Sequence, residues 1–361
     1  MEIQQKNYMD PLSPNTVELF TKNKLAGHFN YVRPGEVVPH FFSRGSYFLS
    51  RDEKTHELTA TLNSCLHRGF KLISERTKLK PNQPIGCKFH NWTYEQNGTL
   101  ISTPGYDPIQ ILVADVKSCL QKISLTNIGG LFFETNSIRS IEDIKILFDL
   151  LPNFSKDLLI ADYTFDQESV TFYPCNWQTF MEVYIDAYHH KTAHKNGLGS
   201  FLTDDVKWFA GAETLINVID IAPLNSATSF GWSKFSEELA QVGWEKDWGA
   251  IFCTIFPGLM IEFFPYVMVI SQLVPISDKM TANYLQIYYD PKVKDNYNFQ
   301  NAFGDAYSET ASETGPLLEM LEDGRTGLWA GQTRIWNQQE SYNSLETGLL
   351  YLKSWISKNS K

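Results

Sequence analysis

The chain is short of cysteine, of basic charge and of long apolar runs, and each shortage removes a class of function. Five cysteines in 361 residues are too few, and odd in number, for a disulfide framework. Lys and Arg number 31 against 41 Asp and Glu, a formal charge of -10, and no basic run occurs. Duplex binding draws its affinity from clustered cations, so no nucleic-acid partner is expected. The most apolar stretch, residues 250–275, is interrupted by Pro257-Gly258, Glu262 and Pro265. A membrane helix needs about 20 uninterrupted apolar residues, so this stretch reads as paired strands and no membrane association is expected. Residues 1–22 lack a basic segment followed by an apolar one, which gives no secretory signal and makes the cytoplasm the expected compartment. Internal repeats and low-complexity tracts are absent as well.

What is present describes a folded protein with a substantial core: 43% hydrophobic residues, 20% charged and 14% aromatic. The length suggests about two domains. Short aromatic and β-branched runs at residues 41–51 and 56–62, separated by the charged turn Arg51-Asp52-Glu53-Lys54, predict antiparallel strands. Gln96-Asn97-Gly98 predicts a hairpin, and Pro34-Gly35 a turn into the first strand. Helical spacing follows at Ile141–Leu151. Residues 206–291 read as mostly strand, with alternation at 259–274 and 281–289. The remainder, from about Asn298, reads as helix with a break at Asp323-Gly324. These signals divide the chain into a lead-in (1–37), a β-rich domain (38–140) and a larger domain (141–361). Cys119, Cys175 and Cys253 read as small buried hydrophobes. Trp208, Trp232, Trp244, Trp248 and Tyr184 are candidates for a pocket or ammonium cage, with core packing as the plainer reading.

Two constellations carry chemistry. The first is Asn63-Ser-Cys65-Leu-His67-Arg68-Gly69 followed, after a spacer, by Cys87-Lys88-Phe89-His90-Asn91-Trp92. Each half supplies one thiolate and one imidazole. A [2Fe–2S] centre with two sulfur ligands on one iron and two nitrogen ligands on the other requires that set, and imidazole in place of thiolate makes it easier to reduce. A Cys2His2 zinc site has the same inventory, but usually pairs cysteine with cysteine and histidine with histidine along the chain. Asn63, Cys65, His67, Arg68, Gly69, Cys87, His90 and Trp92 together resemble the cluster motif of Rieske-type non-haem iron oxygenases. The chain departs from that motif at Lys88-Phe89 and Asn91, where the family more often has Pro-Tyr and Gly.

The second constellation runs from Cys175 to His194, where His189, His190 and His194, three of the eight histidines, fall beside Asp186. Helical spacing from Trp177 to Tyr188 places Asp186 with His189 or His190 on one face. Two imidazoles and a carboxylate with open positions form the facial triad of non-haem Fe(II) oxygenases. The spacing Asp186-x-x-His189-x4-His194, with Asn176-Trp177 and Tyr188 around it, resembles the mononuclear-iron motif of the same family. His189 and His194 are the expected ligand pair. Asp186 matches the family's bridging carboxylate, which joins an iron-ligating histidine to a cluster histidine of the neighbouring subunit. His190 has no family role. For the third ligand the candidates are Glu340, within Trp336-Asn-Gln-Gln-Glu340-Ser-Tyr-Asn343, and Asp323, preceded by Glu322. Glu340 is preferred because Ile335, Tyr342, Leu345, Leu349 and Leu352 predict a helix around it.

The resemblance covers nearly the whole chain and identifies it as the terminal oxygenase (alpha) subunit of an aromatic-ring-hydroxylating type. It implies an α+β protein: an N-terminal antiparallel β Rieske domain followed by a helix-grip (START-like) catalytic domain. It also implies a [2Fe–2S] cluster, a mononuclear Fe(II), a ferredoxin or NAD(P)H-dependent reductase as electron donor, O2 as co-substrate, and a head-to-tail homotrimer. The reaction class is dihydroxylation, monohydroxylation or oxidative demethylation of a small aromatic compound or quaternary amine. Two rivals remain at this stage: a Rieske electron carrier with a docking domain, and a zinc-stabilised binding protein.

Overall fold

The computed structural model describes residues 12–42, 45–106, 119–154, 160–326 and 344–359. They form two compact units. One is Lys24–Ile138; the other joins the stretch up to Asn23 to the chain from Arg139 onward. The expected lead-in is therefore shared between the units, and a strand precedes the turn at Gly35, whose φ of 78° only glycine adopts without strain.

The smaller unit is antiparallel β. Its strands are β1 (Leu25–His28), β2 (Glu36–Pro39), β3 (Tyr47–Arg51), β4 (Leu58–Leu62), β5 (Thr77–Lys78), β6 (Ile85–Gly86), β7 (Thr93–Tyr94), β8 (Leu100–Ser102), β9 (Lys122–Ile123), β10 (Leu125–Ile128) and β11 (Leu131–Glu134). They form three sheets, in the orders β1-β11-β10, β5-β2-β3-β4-β9 and β6-β7-β8. The predicted hairpin at Asn97-Gly98 joins β7 to β8. Gly98 takes φ 91° and Asn97 Oδ1 accepts from Thr99 N at 2.8 Å. Phe48, Cys65, Cys87, Trp92, Tyr94 and Leu120 share one core, so both expected cluster cysteines are anchored in packed hydrophobic surroundings.

The larger unit is a seven-stranded antiparallel sheet gripped by helices. Its strands are β12 (Thr164–Tyr173), β13 (Leu202–Ala210), β14 (Thr214–Ile221), β15 (Trp248–Ile255), β16 (Leu259–Phe264), β17 (Val267–Ser277) and β18 (Met280–Tyr289), in the order β12-β18-β17-β16-β15-β14-β13. Its helices are α1 (Pro14–Leu19), α2 (Ile141–Phe154), α3 (Trp177–Ile185), α4 (Phe230–Gln241), α5 (Tyr297–Thr326) and α6 (Thr347–Asn359), with short turns at His190–Ala193 and Leu198–Phe201. Ser13 caps α1 through Thr16 N, with Pro14 at its first position, where a missing N–H costs nothing.

Three expectations are corrected. Residues 230–241, read as strand, form α4. Phe230, Trp232 and Phe235 suit either state, and burying Trp232, Phe235 and Leu239 on one face against α5 decides for helix. Gly231 sets the crossing: a Cβ there would stand 2.6 Å from the Ala306 backbone on α5. The break at Asp323-Gly324 is absent, since α5 runs unbroken through both residues and through Pro316. The helix expected over 177–188 stops at Ile185, because Asp186 turns extended (φ -73°, ψ 113°).

The high aromatic content is answered mainly by the core. Trp232, Phe235, Phe264 and Phe303 pack with centroid separations of 5.3–5.8 Å, for Trp232–Phe264, Phe235–Phe303 and Phe264–Phe303, fastening α4 and α5 to the sheet.

Candidate active site

In the smaller unit the two halves of the Cys-His motif adopt the same turn. Cys65 N donates to Phe70 O (2.9 Å) and Gly69 N returns to Cys65 O (2.8 Å). Cys87 N donates to Trp92 O (2.8 Å) and Asn91 N returns to Cys87 O (2.9 Å). The fifth residue of each turn is left-handed, Gly69 at φ 72° and Asn91 at φ 57°. That explains the departure at Asn91, because asparagine is the side-chain-bearing residue that most readily takes the conformation. Asn63 braces the first turn by accepting from Leu72 N and Ile73 N and donating to Ile73 O.

The turns bring the His67 and His90 rings to 4.7 Å between centroids. Trp92 stacks on His67 at 5.0 Å, and the Tyr106 hydroxyl lies 3.2 Å from His67 Nε2. Cys65 Sγ lies 3.1 Å from the Tyr94 hydroxyl. Burial pushes the Cys65 thiol up, and desolvation, with the nearby His90, pulls His67 down. A neutral imidazole is the form that ligates, and iron beside a buried thiol offsets the cost of its ionisation.

In the larger unit, Asn176 caps α3 by accepting from Gln178 N (2.8 Å). At its far end the chain bends at Asp186, whose Oδ1 accepts from Tyr188 N at 2.7 Å while Oδ2 lies 3.4 Å from His189 Nδ1. The turn that follows brings the His189 and His194 rings to 5.1 Å. Gly199 closes this turn, its N donating to His194 O at 2.9 Å. His190, which has no family role, is buried beside both (4.8 Å and 6.2 Å). Desolvation lowers His190 strongly and His194 less so, which keeps both rings neutral.

All three histidines line a cavity of about 700 Å³ between the sheet and α5. Tyr184 and Trp232 of the aromatic candidates line it too. Trp208, Trp244 and Trp248 do not, so the pocket reading holds for two of the five.

The carboxylate that the structure brings to this pair is Glu313, whose Oε2 lies 2.6 Å from His194 Nδ1. Sequence reasoning passed it over. The available signal was its place on a helix whose Tyr307, Thr310, Ala311, Thr314 and Leu318 face the cavity at helical spacing. Asp323 lies ten residues further along α5, about 15 Å at 1.5 Å per residue, and is exposed. It is not brought to the pair. Its neighbour Glu322 instead accepts from Thr179 Oγ1 and Asn176 N at the start of α3. Glu340 lies outside the described residues.

Comparison with known proteins decides the family. Residues 159–342 match the ring hydroxylating alpha subunit (catalytic domain), and residues 23–117 match the Rieske [2Fe–2S] domain. A putrescine 2-hydroxylase of Bordetella bronchiseptica is 31% identical over 86% of this chain and 72% of its own length. The chain belongs to the Rieske oxygenase alpha subunits. A carnitine monooxygenase oxygenase subunit of Acinetobacter pittii is 22% identical over 85% of this chain and 80% of its own. A quaternary ammonium Rieske monooxygenase, solved with an inhibitor, shares the fold with a TM-score of 0.76 over 96% of this chain and 91% of that one, at 18% identity.

As a Rieske oxygenase alpha subunit the protein is an oxidoreductase that incorporates O2, with a [2Fe–2S] cluster and a mononuclear iron, and it takes electrons from a donor and hydroxylates a small organic substrate. Its residues fit both groups. The cluster turns present the right donors, and the buried Nε1 of Trp92 has no hydrogen-bond partner among the described residues. In the other unit the His189 and His194 rings stand 5.1 Å apart on the cavity wall, with the Glu313 carboxylate beside His194. Among the described residues no three His, Cys, Asp or Glu side chains yet converge as closely as around a bound ion. No described helix is long and apolar enough to cross a membrane.

Proposed function

We propose that Cys65, His67, Cys87 and His90 hold the cluster, that His189, His194 and Glu313 hold the mononuclear iron, and that the substrate is a small aliphatic amine that undergoes monohydroxylation. The observation that carries this reading is the His189 and His194 ring pair, 5.1 Å apart in the wall of a cavity of about 700 Å³, with a carboxylate oxygen 2.6 Å from His194. Adjacent ligands of one ion, each about 2.1 Å from it, stand roughly 3 Å apart, close to the spacing of Glu313 Oε2 and His194 Nδ1. Bound there, the iron supplies O2 activation. The remaining work belongs to the chain. His194 stays unprotonated because burial removes its solvation. The sheet and α5 wall the cavity, and among the described residues its lining contains no Lys or Arg, which favours a cationic substrate over an anionic one. Relatives named for putrescine and carnitine support the amine assignment.

Asp186 is assigned to the electron path. Its Oδ2 stands 3.4 Å from His189 Nδ1, and its role is to fix that ring's tautomer. We place the cluster histidine it serves in a neighbouring subunit of a homotrimer supplied by a ferredoxin or reductase, and place the protein in the cytoplasm. The test combines metal analysis with product analysis. Roughly three irons per chain, a reduced Rieske EPR signal and hydroxylated amine are expected. Roughly two irons per chain, or turnover of aromatic acids in preference to amines, would overturn the reading. Light scattering tests the trimer.

A further inference from the structure

One carboxylate in the cavity lining, Glu262, has no duty in the iron site. Glu262 lies within β16, paired with Phe252 on β15 and Val269 on β17, and shares the cavity face of its strand with Met260 and Phe264. It is only 5% exposed. Tyr307 donates to its Oε2 at 3.1 Å, and among the described residues no Lys, Arg or His is paired with it. Of the other two acids in the lining, Asp305 is already neutralised by Lys234 at 3.0 Å. Two more buried oxygens on lining residues, Tyr184 Oη and Asn283 Oδ1, have no hydrogen-bond partner among the described residues. The rings of Tyr184, Phe252, Phe264 and Tyr307 follow one another at 6.0, 5.8 and 6.4 Å.

A buried carboxylate without a cation, unsatisfied acceptors and a run of aromatic rings are complementary to one kind of group: a cation that carries N–H donors. A quaternary ammonium would answer the charge and the rings but leave the oxygens unpaired. Deepening the amine assignment above, and resting on it, we infer that Glu262 anchors the substrate's ammonium group and that this group is a primary or secondary ammonium. Tyr307 positions the anchor. Without a ligand, burial pushes Glu262 up to about 8, so near neutrality it holds a proton that an incoming ammonium displaces to solvent. The titratable groups acting on it are Tyr307 from α5, Tyr184 from α3, Cys253 from β15 and Tyr173 from β12, all held neutral by burial. The released proton is therefore that of Glu262.

The experiment is calorimetry on the holoenzyme, after iron analysis, with 1,4-diaminobutane and its fully N-methylated analogue as probes, in buffers of differing ionisation enthalpy at pH 7. Wild type is expected to bind the diamine more than tenfold tighter than the analogue, with release of about one proton per anchor filled. Glu262→Gln should weaken the diamine about 100-fold, abolish the proton release and leave the iron content unchanged. Equal affinity of Glu262→Gln and wild type, or equal affinity of wild type for both probes, overturns the anchor. Should Glu262→Gln fail to fold, the comparison of probes and buffers on wild type alone still decides. A wild type that holds both iron centres but binds no amine overturns the anchor and leaves the oxygenase site standing; one that lacks the mononuclear iron overturns the site itself.

Discussion

Replacing Glu313 by Gln separates the candidates for the third iron ligand in one assay. The substitution keeps the size and one oxygen of the side chain but removes its charge. In the structure that charge serves the His194 ring, whose side chain is 2% exposed, through a contact of 2.6 Å. A charge-assisted hydrogen bond is worth about 1.5–3 kcal/mol, reduced here because the Glu313 side chain is itself 36% exposed. As a mere orienting group, Glu313 would therefore lower iron affinity by roughly 10- to 100-fold on removal. As a ligand it takes with it one of three protein bonds to the ion, and the site should purify empty. The assay is iron per chain after dialysis against a weak chelator, with the EPR signal of the reduced cluster as internal control. Glu313→Gln should fall from roughly three irons to roughly two with the cluster signal intact, while Asp323→Asn stays at roughly three. Glu313→Asp should recover part of the loss. Retention of all three irons in Glu313→Gln, with their loss in Glu340→Gln, would refute the assignment and return the role to Glu340.

Asp186→Asn should keep both metal centres and the wild-type fold while nearly abolishing coupled turnover. Cluster reoxidation measured by stopped-flow checks this, and a normal rate would remove the proposed path. At Gly199 an added Cβ would stand 2.0 Å from the His190 carbonyl oxygen, so Gly199→Ala must displace the backbone of the ligand turn. A loss of about 3 kcal/mol or more, read by denaturant unfolding, should accompany loss of the mononuclear iron. Glu262 gives the ligand-free protein a pH dependence. Its folded value lies above the unfolded 4.5, at about 8, so between those limits the folded state binds more protons and stability falls as pH rises. The loss amounts to at most about 5 kcal/mol. Melting temperatures of wild type should drop between pH 5 and pH 8.5 more than those of Glu262→Gln, and parallel curves would contradict the raised value.

The sequence by itself determined the chemistry that local spacing can encode. Cys65-x-His67 and Cys87-x-x-His90 could be read as candidate donors because each pair sits within a single tight turn, where order along the chain is order in space. The Asp186, His189 and His194 group is legible for the same reason, as is the hairpin at Asn97-Gly98. The strands in 259–274 and 281–289 were equally readable from their apolar and β-branched runs, although both of their faces are largely buried. What only the tertiary structure decided are the partners that meet across the fold. Glu313 is far from His194 along the chain and reaches it only because α5 packs beside the ligand turn, while the same helix runs on through the Asp323-Gly324 signal. A glycine at that position is tolerated where packing of the helix outweighs its propensity. Glu262 looked in the sequence like an interruption of an apolar run. The sheet and α5 turn that interruption into a buried acid facing a cavity, because alternation along β16 places it on the same side as Met260 and Phe264, and the helix then closes over it.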